Sequence, residues 1–255
     1  MRSLTALILL ALAGLACAHP EDEFCVPGEG GLDPALCEEL NAIQSGSELR
    51  PLLDEQGNEL GSLATAWLYT GIGVRHILPG GLDHILFVLA LFLTSTRLKA
   101  LALQVTMFTL AHSLTLGMAA AGWISLNSGW VEALIAATIA FVAIENLFVK
   151  HLPSWRLPVV FLFGLLHGLG FAGFFGELGL PENQFLAGLV GFNVGVEIGQ
   201  IGVLLVALAL ATALRRRFEA KQLPELTYRR FVVLPGSLAI AAIGSFWTFE
   251  RLLAI

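Results

Sequence analysis

The stretch RHILPGGLDHILFVLALFL, residues 75–93, decides the fold of this 255-residue chain. It joins a helix-breaking Pro-Gly-Gly turn to an uninterrupted apolar run, and it carries the metal-binding residue types His76, Asp83 and His84. Ionisable side chains are costly where water is scarce, so those within membrane spans usually line a pathway or a site. The stretch therefore predicts a membrane helix that begins beside a ligand site.

The composition of the whole chain indicates an integral membrane protein. Hydrophobic residues make up 56% of the sequence and charged residues only 13%, whereas about 25% charged residues is usual in soluble domains. The mean hydropathy is +0.78. The net charge of −6 belongs to one segment, because residues 21–59 hold eleven of the twenty acidic residues and a single basic residue, Arg50. Nothing in this pattern predicts a nucleic-acid partner.

Residues 1–18 have the pattern of a secretory signal peptide. Arg2 precedes the apolar stretch Leu4–Ala16, and Ala16-Cys17-Ala18 is a small-residue cleavage site. Thirteen apolar residues are too few to span about 30 Å of hydrocarbon at about 1.5 Å per residue, which disfavours an uncleaved first span. Lipidation of Cys17 is the alternative that stays open.

Residues 19–60 are predicted to form an acidic exported segment. Its two cysteines, Cys25 and Cys37, favour a disulfide, because exported segments fold in an oxidising compartment. A pair of metal-binding thiols is the alternative, although the spacing of the two cysteines matches no tight metal motif. Residues 61–255 then form the transmembrane domain.

The sequence after residue 60 predicts an all-α, polytopic membrane helix bundle with six transmembrane helices. Basic residues occur in the loops after the first, third and fifth spans and are absent from the two loops between them. By the positive-inside rule the basic loops face the cytoplasm, and both mature termini lie on the exported side of a bacterial-type inner membrane. The predicted spans are Leu82–Thr96, Ala100–Trp123, Val131–Val149, Leu157–Gly176, Phe185–Leu214 and Phe231–Phe249.

The apolar residues before the first predicted span need a different explanation. A seventh full span before residue 78 would invert the charge alternation and place the basic loops outside. Ala64–Arg75 is therefore predicted to be an interfacial or re-entrant helix at the outer surface, with Trp67 and Tyr69 as interfacial anchors. The metal-binding residues of the opening stretch then lie near the outer mouth of the bundle.

Polar residues in five of the six spans predict a descending ladder of metal donors. Imidazole and carboxylate suit nickel, cobalt, zinc or iron(II), whereas copper(I) prefers Cys and Met. Glu132, near the outer end of the third span, is explained more simply by solvation. The candidate metal ligands are His76, Asp83, His84, His112, His167, Glu145 and Glu197, and the supporting polar residues are Ser113, Asn146, Asn193 and Gln200.

Five motifs in order resemble the HupE/UreJ family of membrane proteins, and most closely its type 2 branch. They cover about residues 71–210 and read HILPGGLDHILFVLALFL, FTLAHSLTL, AIEN, FGLLHGLGFA and FNVGVEIGQ. The resemblance implies a polytopic permease associated with nickel uptake in hydrogenase and urease contexts. The family's first metal motif has a His followed by Asp-His, which His76, Asp83 and His84 match by residue type. Nickel-linked members typically have one residue fewer between the first His and the Asp.

The leading hypothesis is a permease for a divalent transition metal, with nickel or cobalt favoured over zinc or iron(II). The metal ion is the substrate, and no organic cofactor is implied. Metalloenzyme-maturation proteins and a second copy of the chain are the candidate protein partners. The sequence has no phosphate-binding loop of the GxxxxGK[ST] kind, so ATP-driven transport would need another subunit.

Two other functional classes stay open at the level of sequence. The first is an intramembrane hydrolase, either metal-dependent or with Ser113 and His167 as nucleophile and base. The second is a membrane assembly or sensor protein that transports nothing, with the acidic exported segment as its docking surface.

Overall fold

The computed structural model describes residues 59–124, 126–149, 151–171, 182–220 and 228–255. The elements in these ranges are helical, which confirms the all-α prediction. The predicted signal peptide and the Cys25–Cys37 disulfide lie outside the described residues. The helices are α1 (Ser62–Ile77), α2 (Leu82–Thr94), α3 (Leu98–Ala120), α4 (Ser128–Phe148), α5 (Arg156–Gly170), α6 (Glu182–Ala220) and α7 (Leu234–Ala254), with a π-helical turn at Arg229–Val233 leading into α7.

The helix lengths show a multi-pass membrane protein. Four helices are long and apolar enough to cross a membrane, namely α3, α4, α6 and α7 with its π-helical turn. A hydrocarbon core of about 30 Å needs about 20 helical residues, so α2 with 13 residues and α5 with 15 are each too short alone. Together, α1 and α2 pass the same test as a pair bent by 71°, which raises the count to five. Six transmembrane helices are therefore not confirmed.

The sequence predicts an interfacial or re-entrant helix over Ala64–Arg75, and in the structure α1 is bent by 71° from α2, as in a broken span or a re-entrant loop. Helix α1 runs parallel to α6 and packs along it, with close contacts from Gly191 to Gly199 of α6. Tyr69 is 1% exposed and belongs to the core, whereas Trp67 is exposed. The prediction of Tyr69 as an anchor was wrong because the glycines of α6 let the two backbones approach closely, which buries this face of α1.

The break between α1 and α2 lies beside a cavity, with Leu78, Pro79 and Gly80 exposed and Gly81 buried. Leu78 contacts α6 at Gly202, about 30 Å along that helix from residue 182 at about 1.5 Å per residue. A backbone break at membrane depth is tolerated where it is buried in protein or lines a cavity, and Gly80 and Gly81 both line a cavity. Helices α1 and α2 can form a single broken span, or α2 can cross the membrane alone after an interfacial α1. Both arrangements place the basic loops on the same side of the membrane, so the charge alternation could not distinguish them.

Besides α1 with α6, two further pairs of helices pack around α2, namely α3 with α5 and α4 with α7. Helices α3 and α5 run parallel, with Gly164 against the backbone of Phe108. Helices α4 and α7 run antiparallel, with Gly244 against Ala140. The starts of α4 and α6 and the ends of α3, α5 and α7 therefore share one end of the bundle, which we call the cavity end. We call the opposite end the Arg156 end, after the first residue of α5.

We expect Gly73→Ala to destabilise the protein and Gly71→Ala, in the same helix, to leave it unharmed. A methyl group on Gly73 would lie 2.0 Å from the carbonyl oxygen of Phe192 in α6, whereas one on Gly71 would meet nothing within 4 Å. Overpacking costs about 1 to 3 kcal/mol, while Ala in place of Gly gains about 1 kcal/mol of helix propensity. Thermal unfolding in detergent should give a lower midpoint for Gly73→Ala only. Equal midpoints for the two variants would contradict the close packing of α1 on α6.

Candidate metal site

Four histidines from four helices meet inside the bundle, and we call them the histidine cluster. His76 lies in α1, His84 in α2, His112 in α3 and His167 in α5, and none is more than 8% exposed. His84 is at the centre, with its ring centroid 4.8 Å from that of His76, 5.8 Å from that of His112 and 5.1 Å from that of His167. The fold thus brings together all four histidines that the sequence singles out.

Phenylalanine rings surround the histidine cluster. The ring centroid of Phe171 lies 4.1 Å from that of His76, and that of Phe108 lies 4.9 Å from that of His167. Apolar walls of this kind limit the access of water to a site, and in the low dielectric that results, electrostatic interactions are stronger than in water. A cation bound among these rings would interact strongly with nearby carboxylates.

Hydrogen bonds assign the tautomer of His84. Nδ1 of His84 lies 3.0 Å from Oδ1 of Asp83, and the same oxygen accepts the backbone N–H of His84 at 2.8 Å. An ionised carboxylate only accepts hydrogen bonds, so the proton of the ring is on Nδ1. Nε2 of His84 then has a lone pair, and this atom is buried without a hydrogen-bond partner among the described residues.

The same reasoning assigns the tautomers of His112 and His167. The amide nitrogen of Asn193 donates to a carbonyl of its own helix, so its Oδ1 accepts from Nδ1 of His112 at 3.2 Å. The hydroxyl of Thr138 also donates within its own helix, so its oxygen accepts from Nε2 of His167 at 3.0 Å. The opposite ring nitrogens, Nε2 of His112 and Nδ1 of His167, are buried and have no hydrogen-bond partner in the described part of the chain.

The buried histidine cluster therefore contains three imidazole nitrogens with a lone pair. In each of these rings the other nitrogen donates a hydrogen bond to an oxygen acceptor. Metal-ligating histidines almost always have this second hydrogen bond. Ligand atoms of a tetrahedral ion at 2.0–2.1 Å are about 3.4 Å apart, so donors within 4.8 Å of one another need only a small closure to hold an ion. Two groups have this spacing, namely His76 with His84 and His112, and Asp83 with His84 and His167.

His76 joins the cluster despite the additional residue between it and Asp83. The chain turns between the two residues so tightly that a Cβ on Gly81 would lie 2.3 Å from the carbonyl oxygen of His76. Glycine has no Cβ, and the turn can therefore bring His76 beside His84. The longer spacing is compatible with His76 as a ligand.

A cavity of about 120 Å³ adjoins the histidine cluster. Its lining includes His84 and His167 together with Glu132 and Arg251. Both of the latter lie about one turn inside the cavity end of their helices, α4 and α7. The cavity is therefore the approach to the histidines from this end of the bundle.

Glu132 and Arg251 are the cavity residues that sequence reasoning missed. The sequence favours simple solvation for Glu132 and gives Arg251 no role. In the structure, Nη1 of Arg251 donates to the backbone carbonyl of Glu132 at 2.9 Å. The cavity lining holds two carboxyl groups, of Asp83 and Glu132, and one guanidinium group, of Arg251, a balance that favours a cation. Both residues lie at the exported ends of their predicted spans, Val131–Val149 and Phe231–Phe249, and this shared position was the signal that could have found them.

The Glu145–Asn146 pair lies away from the histidine cluster, at the Arg156 end. Glu145 forms an ion pair with Arg156, which is 1% exposed. Arg156 also donates to the hydroxyl of Thr94 at 3.1 Å, and Nδ2 of Asn146 donates to the carbonyl of Ala90 at 2.7 Å. These contacts join α2, α4 and α5. They use the Glu145 carboxylate in helix packing, in contrast to the predicted role of Glu145 as a metal ligand.

Glu197 and Gln200 face α3 rather than the cavity. The hydroxyl of Thr106 donates to the carboxylate of Glu197 at 2.6 Å, and that of Thr109 donates to Oε1 of Gln200 at 3.2 Å. These contacts continue along the α3–α6 interface from the contact between His112 and Asn193.

Ser113 does not pair with a histidine as a serine hydrolase would require. Its hydroxyl donates to the carbonyl of Thr109 in its own helix at 2.6 Å. Nε2 of His167 bonds to Thr138 instead, at 3.0 Å. The geometry therefore offers no support for the nucleophile–base pair of Ser113 and His167.

Comparison with known proteins agrees with the family resemblance. A family model described as HupE / UreJ protein matches residues 55–251, a range that covers the bundle from the start of α1 to Arg251. No curated protein and no solved structure matches the sequence. Because the matched range is well over half of the chain, the protein belongs to the HupE/UreJ family.

Proposed function

We propose that this protein is a permease for a divalent transition metal and that the histidine cluster is its transit site. The observation that carries the proposal is the pair of ligand groups that share His84, namely His76 with His84 and His112, and Asp83 with His84 and His167, each with its donor atoms within 4.8 Å of one another. The rings of His84, His112 and His167 are each oriented by a hydrogen bond to an oxygen.

The donor set and the family support nickel or cobalt as the substrate. Imidazole nitrogen with carboxylate oxygen suits borderline ions, whereas magnesium and calcium prefer oxygen alone. The HupE/UreJ family is associated with nickel and cobalt transport. Zinc and iron(II) are the competing ions that the same donors accept.

We place the cavity end on the exported side of a bacterial inner membrane. Basic residues at the opposite end, including Arg97, Lys99 and Arg216, belong to loops or helix ends that the positive-inside rule assigns to the cytoplasm. The acidic segment before α1 then raises the local concentration of cations near the cavity. The ion enters past Glu132 and Arg251, reaches His84, and continues inward.

Uptake into proteoliposomes tests the permease proposal. Purified protein reconstituted into vesicles should accumulate nickel or cobalt with a saturable rate, measured with a metal-sensitive dye inside the vesicles. Zinc and iron(II) in parallel assays would rank the substrates. Accumulation equal to that of protein-free vesicles for all four ions would overturn the proposal.

A further inference from the structure

We infer that the metal ion leaves the histidine cluster along the α3–α6 interface, through a second site of oxygen donors. This inference rests on the proposed permease function and adds to it a route and an inner binding site. The donors of the inner site are the side-chain oxygens of Thr106, Thr109, Glu197 and Gln200.

The route follows from three side-chain contacts between α3 and α6, of which those of Thr109 and Thr106 both lie nearer the Arg156 end than that of His112. Helix α3 starts at the Arg156 end, and α6 runs towards that end, so falling numbers in α3 meet rising numbers in α6. Residues three or four apart share a helical face. The contacts are His112 with Asn193 at 3.2 Å, Thr109 with Gln200 at 3.2 Å and Thr106 with Glu197 at 2.6 Å.

The chemistry changes along this interface from nitrogen to oxygen. Imidazole holds borderline divalent ions well, whereas hydroxyl, amide and carboxylate oxygens suit harder ions better. An ion must be able to leave a transport pathway, which favours several sites of moderate strength over one tight site. A nitrogen-rich cluster for capture, followed by oxygen donors for release, satisfies this requirement.

The side-chain amide of Gln200, opposite Thr109 in the α3–α6 interface, has a hydrogen-bond donor without an acceptor among the described residues. The side chain is 0% exposed, and its Nε2 has no hydrogen-bond partner among the described residues. A buried donor without an acceptor needs an explanation such as an ordered water or an ion with its water. A water molecule carried with the metal ion would accept this hydrogen bond.

The two intramembrane glutamates differ in their availability for a cation. Glu145 already has the guanidinium of Arg156 as its counter-ion. The carboxylate of Glu197 accepts a hydrogen bond from Thr106, and no Lys, Arg or His within the described ranges forms an ion pair with it. Glu197 can therefore receive a metal ion without breaking an existing ion pair, and the inward route passes Glu197 rather than Glu145.

The test is Glu197→Gln in two assays, with Thr106→Val as a second variant and Thr212→Val as the matched control. Thr212 is an exposed threonine of α6 whose hydroxyl donates to the carbonyl of Leu208 within its own helix at 2.7 Å. We expect Glu197→Gln to slow nickel uptake into proteoliposomes by about tenfold or more, a change equivalent to about 1.4 kcal/mol in the barrier. The affinity of the tighter nickel site, measured by equilibrium dialysis on the detergent-solubilised variant, should equal that of the wild type, because Glu197 lies outside the histidine cluster.

The outcomes separate this inference from the permease proposal. Wild-type uptake by Glu197→Gln would overturn the route and leave the permease proposal standing. Loss of binding together with uptake would also overturn it, since Glu197 would then belong to the capture site. If Glu197→Gln does not fold, Thr106→Val provides the test. We expect nickel uptake by Thr106→Val to be slower than uptake by the control Thr212→Val. Equal uptake by these two variants would overturn the route. Failure of uptake by the wild type would overturn the permease proposal itself.

Discussion

His84→Ala is expected to abolish both metal binding by the purified protein and metal uptake into vesicles. His84 is at the centre of the cluster and is the one residue common to both groups with metal-ligand spacing. Losing even an outer hydrogen-bond partner of a ligand typically costs about 10- to 100-fold in metal affinity, so losing the shared ligand should cost about 100-fold or more. Equilibrium dialysis with nickel and the vesicle uptake assay measure the two effects.

His151→Ala is the matched control for this experiment. His151 is exposed in the loop between α4 and α5 and lies outside the histidine cluster. We expect this variant to bind and transport metal as the wild type does, which would separate the effect of the site from the loss of any histidine. Normal binding and transport by His84→Ala would remove the histidine cluster from the mechanism.

The sequence could predict the residues of the histidine cluster but not its depth. Hydropathy and donor chemistry single out His76, His84, His112 and His167 without any knowledge of packing. Their depth depends on the break after α1, and the positive-inside rule fixes only the side of each loop. Whether α1 lies on the surface or enters the bundle is decided by close contacts such as that of Gly195 with the carbonyl oxygen of Thr70.

The roles of the charged residues could not be predicted because they depend on partners from other helices. Glu145 and Glu197 look alike in the sequence, since each is a carboxylate in a long apolar stretch. Only the fold shows that Arg156 from the start of α5 reaches Glu145 and that Glu197 faces a threonine. Arg251 is likewise one charge near the end of the last helix until α4 and α7 pack together and place it in the cavity.

Arg156→Gln is expected to cause a large loss of stability at the Arg156 end of the bundle. Arg156 is 1% exposed and Glu145 is 8% exposed. Removing one member of a buried ion pair leaves the other charge uncompensated and costs about 3 to 5 kcal/mol. Arg156 also donates to Thr94 at 3.1 Å and to Oδ1 of Asn146 at 3.4 Å, so its loss removes these two hydrogen bonds as well, while Asn146 keeps the Thr94 hydroxyl as a donor. Unfolding in mixed micelles of dodecylmaltoside and sodium dodecyl sulfate measures the change in the free energy of unfolding.

The charge explanation predicts that a second substitution restores stability. Replacing a buried ion pair by apolar residues of similar volume is often neutral or stabilising, so Arg156→Met combined with Glu145→Leu should be more stable than Arg156→Met alone. Arg217→Gln, at an exposed arginine near the end of α6, should leave the free energy of unfolding close to that of the wild type. If the double variant is no more stable than Arg156→Met, the loss comes from packing and hydrogen bonding. The loss of stability is then not caused by an uncompensated charge on Glu145. Arg156 would no longer count as the counter-ion that makes Glu145 less available to a metal ion than Glu197.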